Sequence, residues 1–434
     1  MGDKTPPRPL EHSLFRIKKV FAYEFFSGIG GFHSALQKSC SGRVLKAFEI
    51  SSKCIKVYKK NFPDTEVINK TIDSLKLEDL KLPIEADASI FMWLLSPPCQ
   101  PFTRSRRRKD DNVDDNDNRT KGYIHLMENL LAKICCSDNK KYRKPDVILV
   151  ENVVGYEKSR TRKRILRVLV EKLGYESIDE YILDPQKDFS IPNQRPRYYG
   201  VYSCCCQYVT EEPLTKTDSK TKQDFIATIK PIDGQYPLPV FEKVSKTTLL
   251  EYIENTATAS YEEIPHEIML KAVGNNVRYD ISLVSDNTSA CLSKGYGKFP
   301  RGYGPLLLYK TEEHAREGKV SSSNFKLDFK LKLNVNQGRK EDINTKADES
   351  SVSAESVSVA PCEENRRDYY IQWHPGMHLR YFTPRECLRL LYFPEDFMFP
   401  EELTWKEKLS LCGNSLNVRV VEEIMKTVLS KICK

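Results

Sequence analysis

Short apolar runs alternate with amphipathic stretches through the first half of the chain. Compact apolar runs rich in β-branched and aromatic residues predict buried strands, whereas apolar positions spaced three and four apart predict helices. Strands are predicted at 20–26, 44–50, 88–95, 146–150, 181–183 and 198–202, and helices at 32–40, 52–61, 124–135 and 160–173. Because strands and helices alternate, the sequence predicts an α/β fold with helices on both faces of a parallel sheet.

The pattern changes after residue 206. Residues 207–310 mix short apolar runs with Pro and Gly, and 312–367 are mostly polar, too polar to offset the entropy lost on ordering. Thr383 and Pro384 predict a helix start, and a last helix at 416–432 has one apolar face. We therefore expect a disordered N-terminus at 1–18, an α/β domain formed by 19–206 and 375–434, and an inserted smaller unit at 207–374 with a disordered linker near 312–367.

Composition narrows the kind of protein. The chain has 434 residues, 40% of them hydrophobic, and a formal net charge of +8, which favours a nucleic-acid partner only weakly. Its 13 cysteines include no C-x-x-C pair, so we expect a reduced intracellular protein without a zinc site. No apolar stretch approaches the roughly 18 residues of a membrane span, and no signal peptide is expected.

Residues 95–104 carry the strongest chemical pattern, Leu-Ser-Pro-Pro-Cys-Gln-Pro-Phe-Thr-Arg. The prolines end the predicted strand and hold the backbone extended, so Cys99 is presented at a strand's carboxyl end, where α/β sheets bind ligands. A free thiol has a pKa near ~8.5 and needs a positive or dipolar setting to react well. Taken alone, Cys99 is more typical of a buried structural cysteine.

Two further patterns supply charged groups. Glu151 directly follows the apolar run 147–150, and a carboxyl group at the mouth of a buried strand can stay protonated. Arg195 and Arg197 lie two residues apart on an extended segment, so both side chains should point the same way and hold a phosphate or a base. The alternatives are a strand-end Glu that caps a loop and a solvated basic edge. Asn193 and Gln194 receive no role.

A glycine-rich turn follows the first predicted strand. Residues 25–31, Phe-Phe-Ser-Gly-Ile-Gly-Gly, allow the backbone to approach a ligand closely. His33 stands where a dinucleotide fingerprint requires Gly or Ala, and we expect it on the helix surface. Glu49, at the end of the next predicted strand, is placed to accept the ribose hydroxyls of a nucleoside cofactor. An ordinary glycine turn with a surface Glu is the alternative.

These motifs, in this order, resemble those of the cytosine-C5 methyltransferases over about residues 19–206 and 375–434. The resemblance implies a Rossmann-like, S-adenosylmethionine-dependent methyltransferase sheet, with 207–374 as a target-recognition domain. It implies catalytic roles for Cys99, Glu151, Arg195 and Arg197, and no metal. It implies an S-adenosyl-L-methionine site formed by Phe26, Ser27, Gly28, Ile29, Gly30, Gly31, Glu49, Ile50, Ile72, Pro98, Asn414, Ser415 and Val418.

Residues 100–104 resemble one branch of that family, the eukaryotic tRNA methyltransferases first classed as type-two DNA methyltransferases. This implies methylation of an anticodon-loop cytidine by a monomer located in cytoplasm and nucleus. A DNA cytosine-C5 methyltransferase and a catalytically silent nucleic-acid-binding protein are the alternatives. In the inserted unit, residues 291–297, Cys-Leu-Ser-Lys-Gly-Tyr-Gly, depart from the branch's Cys-Phe-Thr at Leu292 and Ser293.

The loop after Cys99 is strongly charged in both signs. Positive residues at 104–109 precede aspartates at 110–117. The positive half is typical of a phosphate clamp or of a nuclear localisation signal, and its position beside Cys99 favours the clamp.

Overall fold

A seven-stranded sheet forms the centre of the molecule in the computed structural model, which describes residues 19–82, 89–103, 114–204, 241–254, 263–265, 267, 279–299, 302–311 and 377–432. Its strands are β1 Val20–Phe25, β2 Arg43–Phe48, β3 Glu66–Ile68, β4 Ile90–Leu95, β5 Val147–Val153, β6 Ser177–Leu183 and β7 Arg197–Ser203. The spatial order is β3-β2-β1-β4-β5-β7-β6. β7 runs antiparallel to the other six strands, so the sheet is mixed and not wholly parallel as predicted. The carboxyl ends of β1, β4 and β5 therefore meet at one edge.

Helices cover both faces of this sheet, which confirms the predicted α/β class. They are α1 Gly31–Ser39, α2 Ser52–Asn61, α3 Lys121–Ile124, α4 Leu131–Cys135, α5 Arg160–Arg167, α6 Pro185–Phe189, α7 Pro384–Leu390, α8 Trp405–Gly413 and α9 Val418–Ile432. A π-helical segment, His125–Leu130, joins α3 to α4, and another, Val168–Lys172, extends α5. None of the helices in the described ranges is long and apolar enough to cross a membrane.

Alternation along β4 divides the core into two halves. Met92 and Leu94 pack with α1, α2 and α9 on one face, whereas Phe91 and Trp93 pack with α3, α4 and α5 on the other. Successive side chains of a strand point to opposite faces, so a strand that is apolar at every position must be covered on both. This is why the continuous apolar runs of the sequence correctly predicted central parallel strands.

The inserted unit contributes a second, three-stranded sheet. It consists of β8 Ile281–Leu283, β9 Leu306–Thr311 and β10 Met377–Tyr381, with β9 in the middle. β10 falls after residue 374, so this sheet extends past the predicted end of the inserted unit. The predicted disordered segments 1–18 and 312–367 and the positive residues 104–109 lie outside the described residues.

A buried ion pair joins the second sheet to α7. The predicted cap is present, since the Thr383 side chain accepts from the Glu386 amide at the start of α7. The Glu386 carboxylate in turn receives both terminal nitrogens of Arg380 on β10, each at 2.8 Å. Both side chains are fully buried, so the orientation of β10 against α7 depends on this pair.

Candidate active site

The loops after β1, β4 and β5 are hydrogen-bonded to one another. Ser96, which follows β4, donates through Oγ to the Phe26 carbonyl after β1 at 2.9 Å. The buried Asn152 side chain of β5 donates to the Pro97 carbonyl at 3.2 Å. The Pro-Pro-Cys segment is thus held from both sides, and the strand ends converge as the sequence predicts.

Cys99 starts a short 3-10 turn, Gln100–Phe102, directly after this segment and is half-buried. Burial raises the pKa of its thiol, and the negative charge of Glu151 raises it further. Arg197 and Arg195 act in the opposite direction. The thiol, rather than the thiolate, therefore prevails at neutral pH.

Glu151 lies inside β5, whose pairing with β7 continues to Val153, and not after the strand as the sequence indicated. The strand extends because β7 supplies an antiparallel partner that a single-strand pattern cannot reveal. Burial raises the pKa of the Glu151 carboxyl against the opposing charges of Arg197 and Arg195, which is the predicted direction. Arg197 Nε lies 3.4 Å from Glu151 Oε1.

Arg195 and Arg197 both reach Cys291 of the inserted unit, so their side chains share one side as predicted. Arg197 Nη2 lies 3.8 Å from Cys291 Sγ, and Arg195 Nη1 lies 3.5 Å from it. Burial raises the pKa of the Cys291 thiol, but the two guanidinium groups together outweigh burial and lower it. A second thiol, in positively charged surroundings, therefore lies beside the Cys99–Glu151 pair.

The terminal nitrogens of Arg195 are occupied by backbone carbonyls. Nη1 donates to Leu292 O at 2.6 Å, and Nη2 donates to Gly413 O at 3.2 Å and to Ser415 O. The side chain is 3% exposed. These contacts indicate a positioning role between the inserted unit and the 413–415 loop; the catalytic role implied by the family resemblance stays a prediction.

Asn193 and Gln194, which the sequence left without a role, also bind the inserted unit. The Asn193 amide donates to Ser289 Oγ at 3.1 Å and to Ala290 O at 2.9 Å, and the Gln194 backbone N–H donates to Ser289 O at 2.9 Å. The segment 193–195 therefore joins the α/β domain to the inserted unit, beside the catalytic candidates.

The glycine turn after β1 adopts the left-handed conformations that glycine favours. Gly28 has φ +55° and Gly30 has φ +90°, and Phe26 also has a positive φ, +55°. The Gly28 amide donates to Glu49 Oε2 at 2.8 Å, while Glu49 Oε1 accepts the amides of Ile50 at 2.9 Å and Ser51 at 2.8 Å. A carboxylate offers about four lone-pair sites, so Glu49 retains capacity for a ribose hydroxyl.

The surroundings of this turn fit a nucleoside cofactor such as S-adenosylmethionine. Ser27 Oγ is buried without a hydrogen-bond partner among the described residues, and a Cβ on Gly28 would meet open space. Ile50 is 59% exposed beside Glu49, as a side chain that covers a flat ring would be. The unpartnered Ser27 hydroxyl and the Glu49 carboxylate are groups that a nucleoside cofactor would hydrogen-bond.

The remaining predicted cofactor residues are divided between surface and core. Asn414 is exposed, Ser415 and Pro98 are half-buried, and Ile29, Ile72 and Val418 are buried. Ser415 Oγ would lie 3.4 Å from a Cβ on Gly31, so the 413–415 loop adjoins the glycine turn. The structure brings these two distant motifs together; Ile72 and Val418 contribute by packing in the core beneath.

His33 is buried, contrary to the prediction of a surface position. It is 4% exposed, stacks on Phe62 with ring centroids 3.8 Å apart, and its Nδ1 lies 2.9 Å from the Tyr58 hydroxyl. Tyr58 donates to Glu24 Oε2 at 2.7 Å. The prediction was wrong because these partners come from β1 and α2, and no local pattern around His33 reveals them.

Several functional side chains were missed by the sequence analysis. Asn152 follows Glu151 directly and could have been found as a polar residue at an apolar strand end. Ser96 precedes the Pro-Pro-Cys segment and offered a similar signal. Glu24, a carboxylate inside the first apolar run, was a further signal, because such groups are rarely buried without a reason.

Comparison with known proteins identifies the family of this chain. The family model for C-5 cytosine-specific DNA methylases matches residues 21–430. A Dictyostelium discoideum protein named DNA (cytosine-5)-methyltransferase is 30% identical over 95% of each chain, and the Homo sapiens protein named tRNA (cytosine(38)-C(5))-methyltransferase is 28% identical over 93% of this chain and 97% of that protein. The solved structure of the Entamoeba histolytica methyltransferase EhMeth has a TM-score of 0.62 at 24% identity and covers 95% of this chain and 98% of that chain. The chain therefore belongs to the C-5 cytosine-specific DNA methylase family.

Proposed function

We propose that this protein methylates carbon-5 of a cytidine in the anticodon loop of tRNA, with S-adenosylmethionine as methyl donor. The observation that carries the proposal is the group formed by Cys99, Glu151 and Arg197. A thiol after β4, a carboxyl of raised pKa in the last part of β5 and a guanidinium at the start of β7 lie together. A nucleophile, an acid and a cation together are what addition to a cytosine ring requires.

The chemistry of these residues follows from their positions. Glu151, when protonated, donates to nitrogen-3 of the cytosine and makes carbon-6 electrophilic. Cys99 then releases its proton to water and its sulfur forms a bond to carbon-6. The electron pair of the carbon-5–carbon-6 double bond shifts toward carbon-4, so that carbon-5 becomes nucleophilic. S-adenosylmethionine, when bound, supplies the methyl group. A base or water removes the carbon-5 proton, the sulfur–carbon bond breaks, and Cys99 is restored.

Protonation of Glu151 also helps the nucleophile. The ionised carboxylate is one of the charges that raise the pKa of Cys99. Once Glu151 carries a proton and faces the base, its charge no longer adds to the effect of burial, while Arg197 and Arg195 still lower the pKa of the Cys99 thiol. The same proton that activates the ring thus favours the thiolate.

Two observations favour tRNA over duplex DNA. The Homo sapiens relative is named for cytosine 38 of tRNA, and residues 100–104 resemble the tRNA branch. An anticodon loop already presents unstacked bases, which avoids most of the few kcal/mol needed to flip a paired base. The Dictyostelium discoideum relative is named for DNA, so duplex DNA is the second candidate substrate.

Initial rates of methyl transfer decide between the two substrates. Purified tRNA and duplex DNA are compared at matched cytosine concentration and the same salt, because nucleic-acid affinity depends strongly on salt. We expect tRNA to be methylated far faster. Equal rates, or a preference for DNA, would make the DNA methyltransferase the better description.

The tRNA branch also suggests where the protein acts. We propose a monomer in the cytoplasm and nucleus. Light scattering on the purified protein and fractionation of cells that express it test these two points, and a stable dimer or an exclusively organellar location would contradict them.

A further inference from the structure

Two exposed aromatic side chains lie against each other on the inserted unit. Within the described part of the chain, the large hydrophobic side chains that remain exposed are Ile50, Leu250, Phe299, Tyr303 and Met398. The rings of Phe299 and Tyr303, 55% and 41% exposed, have centroids 5.3 Å apart and planes inclined by 35°. Single exposed apolar residues are normal, but an adjoining pair indicates a surface that binds a partner.

Tyr303 and the residues that contact it are held by several hydrogen bonds. Ser293 donates to the Tyr303 carbonyl through both its amide and its Oγ, each at 2.9 Å. The buried Tyr296 hydroxyl donates to Pro305 O at 2.6 Å and accepts from the Phe382 amide at 2.9 Å. The Tyr303 ring also covers Gly295, where a Cβ would lie 2.0 Å from it. Because the Tyr303 ring already packs on Gly295 before a partner arrives, binding to it loses little conformational entropy.

The pair belongs to the same loop that touches the catalytic candidates. The loop begins at Cys291 and Leu292, which contact Arg195, and Arg197 links Cys291 to Glu151. Phe299 follows Leu292 by seven positions, so the two lie at most about 25 Å apart. Nucleotides within a few positions of a target cytidine fall inside this range.

The chemistry of the surface selects a nucleic acid. Lys294 and Lys298 are exposed in the same loop as the two rings and close to them in sequence. Flat apolar rings bind nucleobases by stacking, and the ammonium groups bind the phosphates between them. A paired base keeps its faces covered by its neighbours, so the surface suits an unpaired strand.

We propose that Phe299 and Tyr303 form a stacking platform for an unpaired base of the nucleic-acid substrate, and that Lys294 and Lys298 contact the adjoining phosphates. The inference rests on the proposed function, because the ligand is the nucleic acid that the protein methylates. It adds a specific contact between the protein and a base in the same RNA loop as the target cytidine. Because every base has a π-face, the platform secures the strand without selecting its sequence.

Variants that remove the rings but keep apolar volume test the platform. We expect the double variant Phe299→Leu with Tyr303→Leu to bind tRNA about 5- to 150-fold more weakly, the range that loss of base stacking on a ring gives. Phe299→Tyr retains a ring and should bind as wild type does. Leu250→Ala, which truncates an exposed hydrophobic side chain elsewhere, is the matched control. Affinity for S-adenosylhomocysteine and the melting temperature should not change in any of these variants.

Fluorescence reports stacking directly. A set of tRNAs carries 2-aminopurine at successive anticodon-loop positions, one position in each tRNA. The fluorescence of the probe at one position beside the target should be quenched by wild type and not by the double leucine variant. Unchanged tRNA affinity and unchanged quenching in that variant would overturn the platform. So would a wild-type dimer that the variant dissociates without loss of tRNA binding, since the rings would then join two copies of the chain. Wild-type protein that methylates no tRNA would instead contradict the proposed function, whatever the variants do.

Discussion

At the scale of single residues, the site depends on two acidic groups and two cations that shift one another's pKa. Burial raises the pKa of both Cys99 and Glu151, and the charge of Glu151 adds to the effect on Cys99. Arg197 and Arg195 oppose both shifts. Neither group is reactive in isolation, and a proton on Glu151 prepares both the ring and the nucleophile. Sequence alone placed these residues near one another but could not give this coupling.

Glu151→Gln separates the two effects. Gln cannot transfer a proton to nitrogen-3, so we expect the single-turnover methylation rate to fall about 10²- to 10⁴-fold. It also removes a negative charge, so the pKa of the Cys99 thiol should fall and its alkylation at neutral pH should become faster. Peptide-mapped alkylation and single-turnover kinetics measure the two quantities.

Glu157→Gln is the control for this experiment. Glu157 is a buried glutamate close to the end of β5 whose carboxylate accepts the Gly155 amide at 2.5 Å. We expect no comparable loss of rate from this change. A near-normal rate in Glu151→Gln, or an equal loss in both variants, would remove Glu151 from the chemistry.

At the scale of elements, a buried carboxyl joins β1, α1 and α2 beneath the glycine turn. Glu24 of β1 is fully buried and accepts from Tyr58 of α2. The first-turn amides of Phe32 and His33 in α1 also reach it. Helix α1 begins after Gly30, with no side-chain cap within its own sequence, and its first turn lies against Glu24. The position of the cofactor turn thus depends on a residue that precedes it.

This carboxyl makes stability depend on pH. Burial raises the pKa of Glu24 to about 8, against about 4.3 in an unfolded chain. The folded protein holds this proton more tightly, so the stabilisation is full below about pH 4 and is lost as pH rises through about 8. We expect Glu24→Gln, which stays neutral, to reduce the fall in unfolding free energy between about pH 5 and 8. Denaturant titrations across that range measure it, and an identical slope in both proteins would count against the assignment.

The elements themselves were largely predictable from sequence. Buried runs and apolar spacing located β1, β4, α2 and α9 closely, because each is specified by its own residues. The extension of β5 to Val153 and the burial of His33 were not predictable. Both depend on partners elsewhere in the chain, β7 in one case and Tyr58 in the other, and local periodicity contains no information about them.

At the scale of the whole molecule, Arg195 joins three distant segments. Its guanidinium binds Leu292 O of the inserted unit and the carbonyls of Gly413 and Ser415 before α9. The loop 413–415 adjoins the glycine turn, since Leu416 lies 2.8 Å from a Cβ on Gly31. The nucleic-acid side and the cofactor side of the site therefore share one buried cation. The two-residue spacing of the arginines predicted their common direction but not these carbonyls, which lie about a hundred residues or more away in sequence.

Arg195→Lys tests this connection. A lysine cannot reach three carbonyls in two directions, so we expect S-adenosylhomocysteine affinity to fall about 10-fold, the loss of roughly one charged hydrogen bond. Arg162→Lys is the matched control, because Arg162 is a buried arginine paired with Glu180 away from the loop. Both changes should lower the melting temperature. Only Arg195→Lys should weaken cofactor binding, which calorimetry measures. Equal cofactor affinity in the two variants would contradict the role.

The central claim, that Cys99 attacks a cytidine of tRNA, is tested most directly by trapping the covalent intermediate. A tRNA that carries 5-fluorocytidine in its anticodon loop cannot lose a proton from carbon-5, so the bond between sulfur and carbon-6 persists after methyl transfer. Mass spectrometry of the digested adduct should find the nucleotide on the peptide that contains Cys99, and Cys99→Ala should give no adduct although it folds normally. An adduct on Cys291, or one that forms with duplex DNA and not with tRNA, would contradict the account.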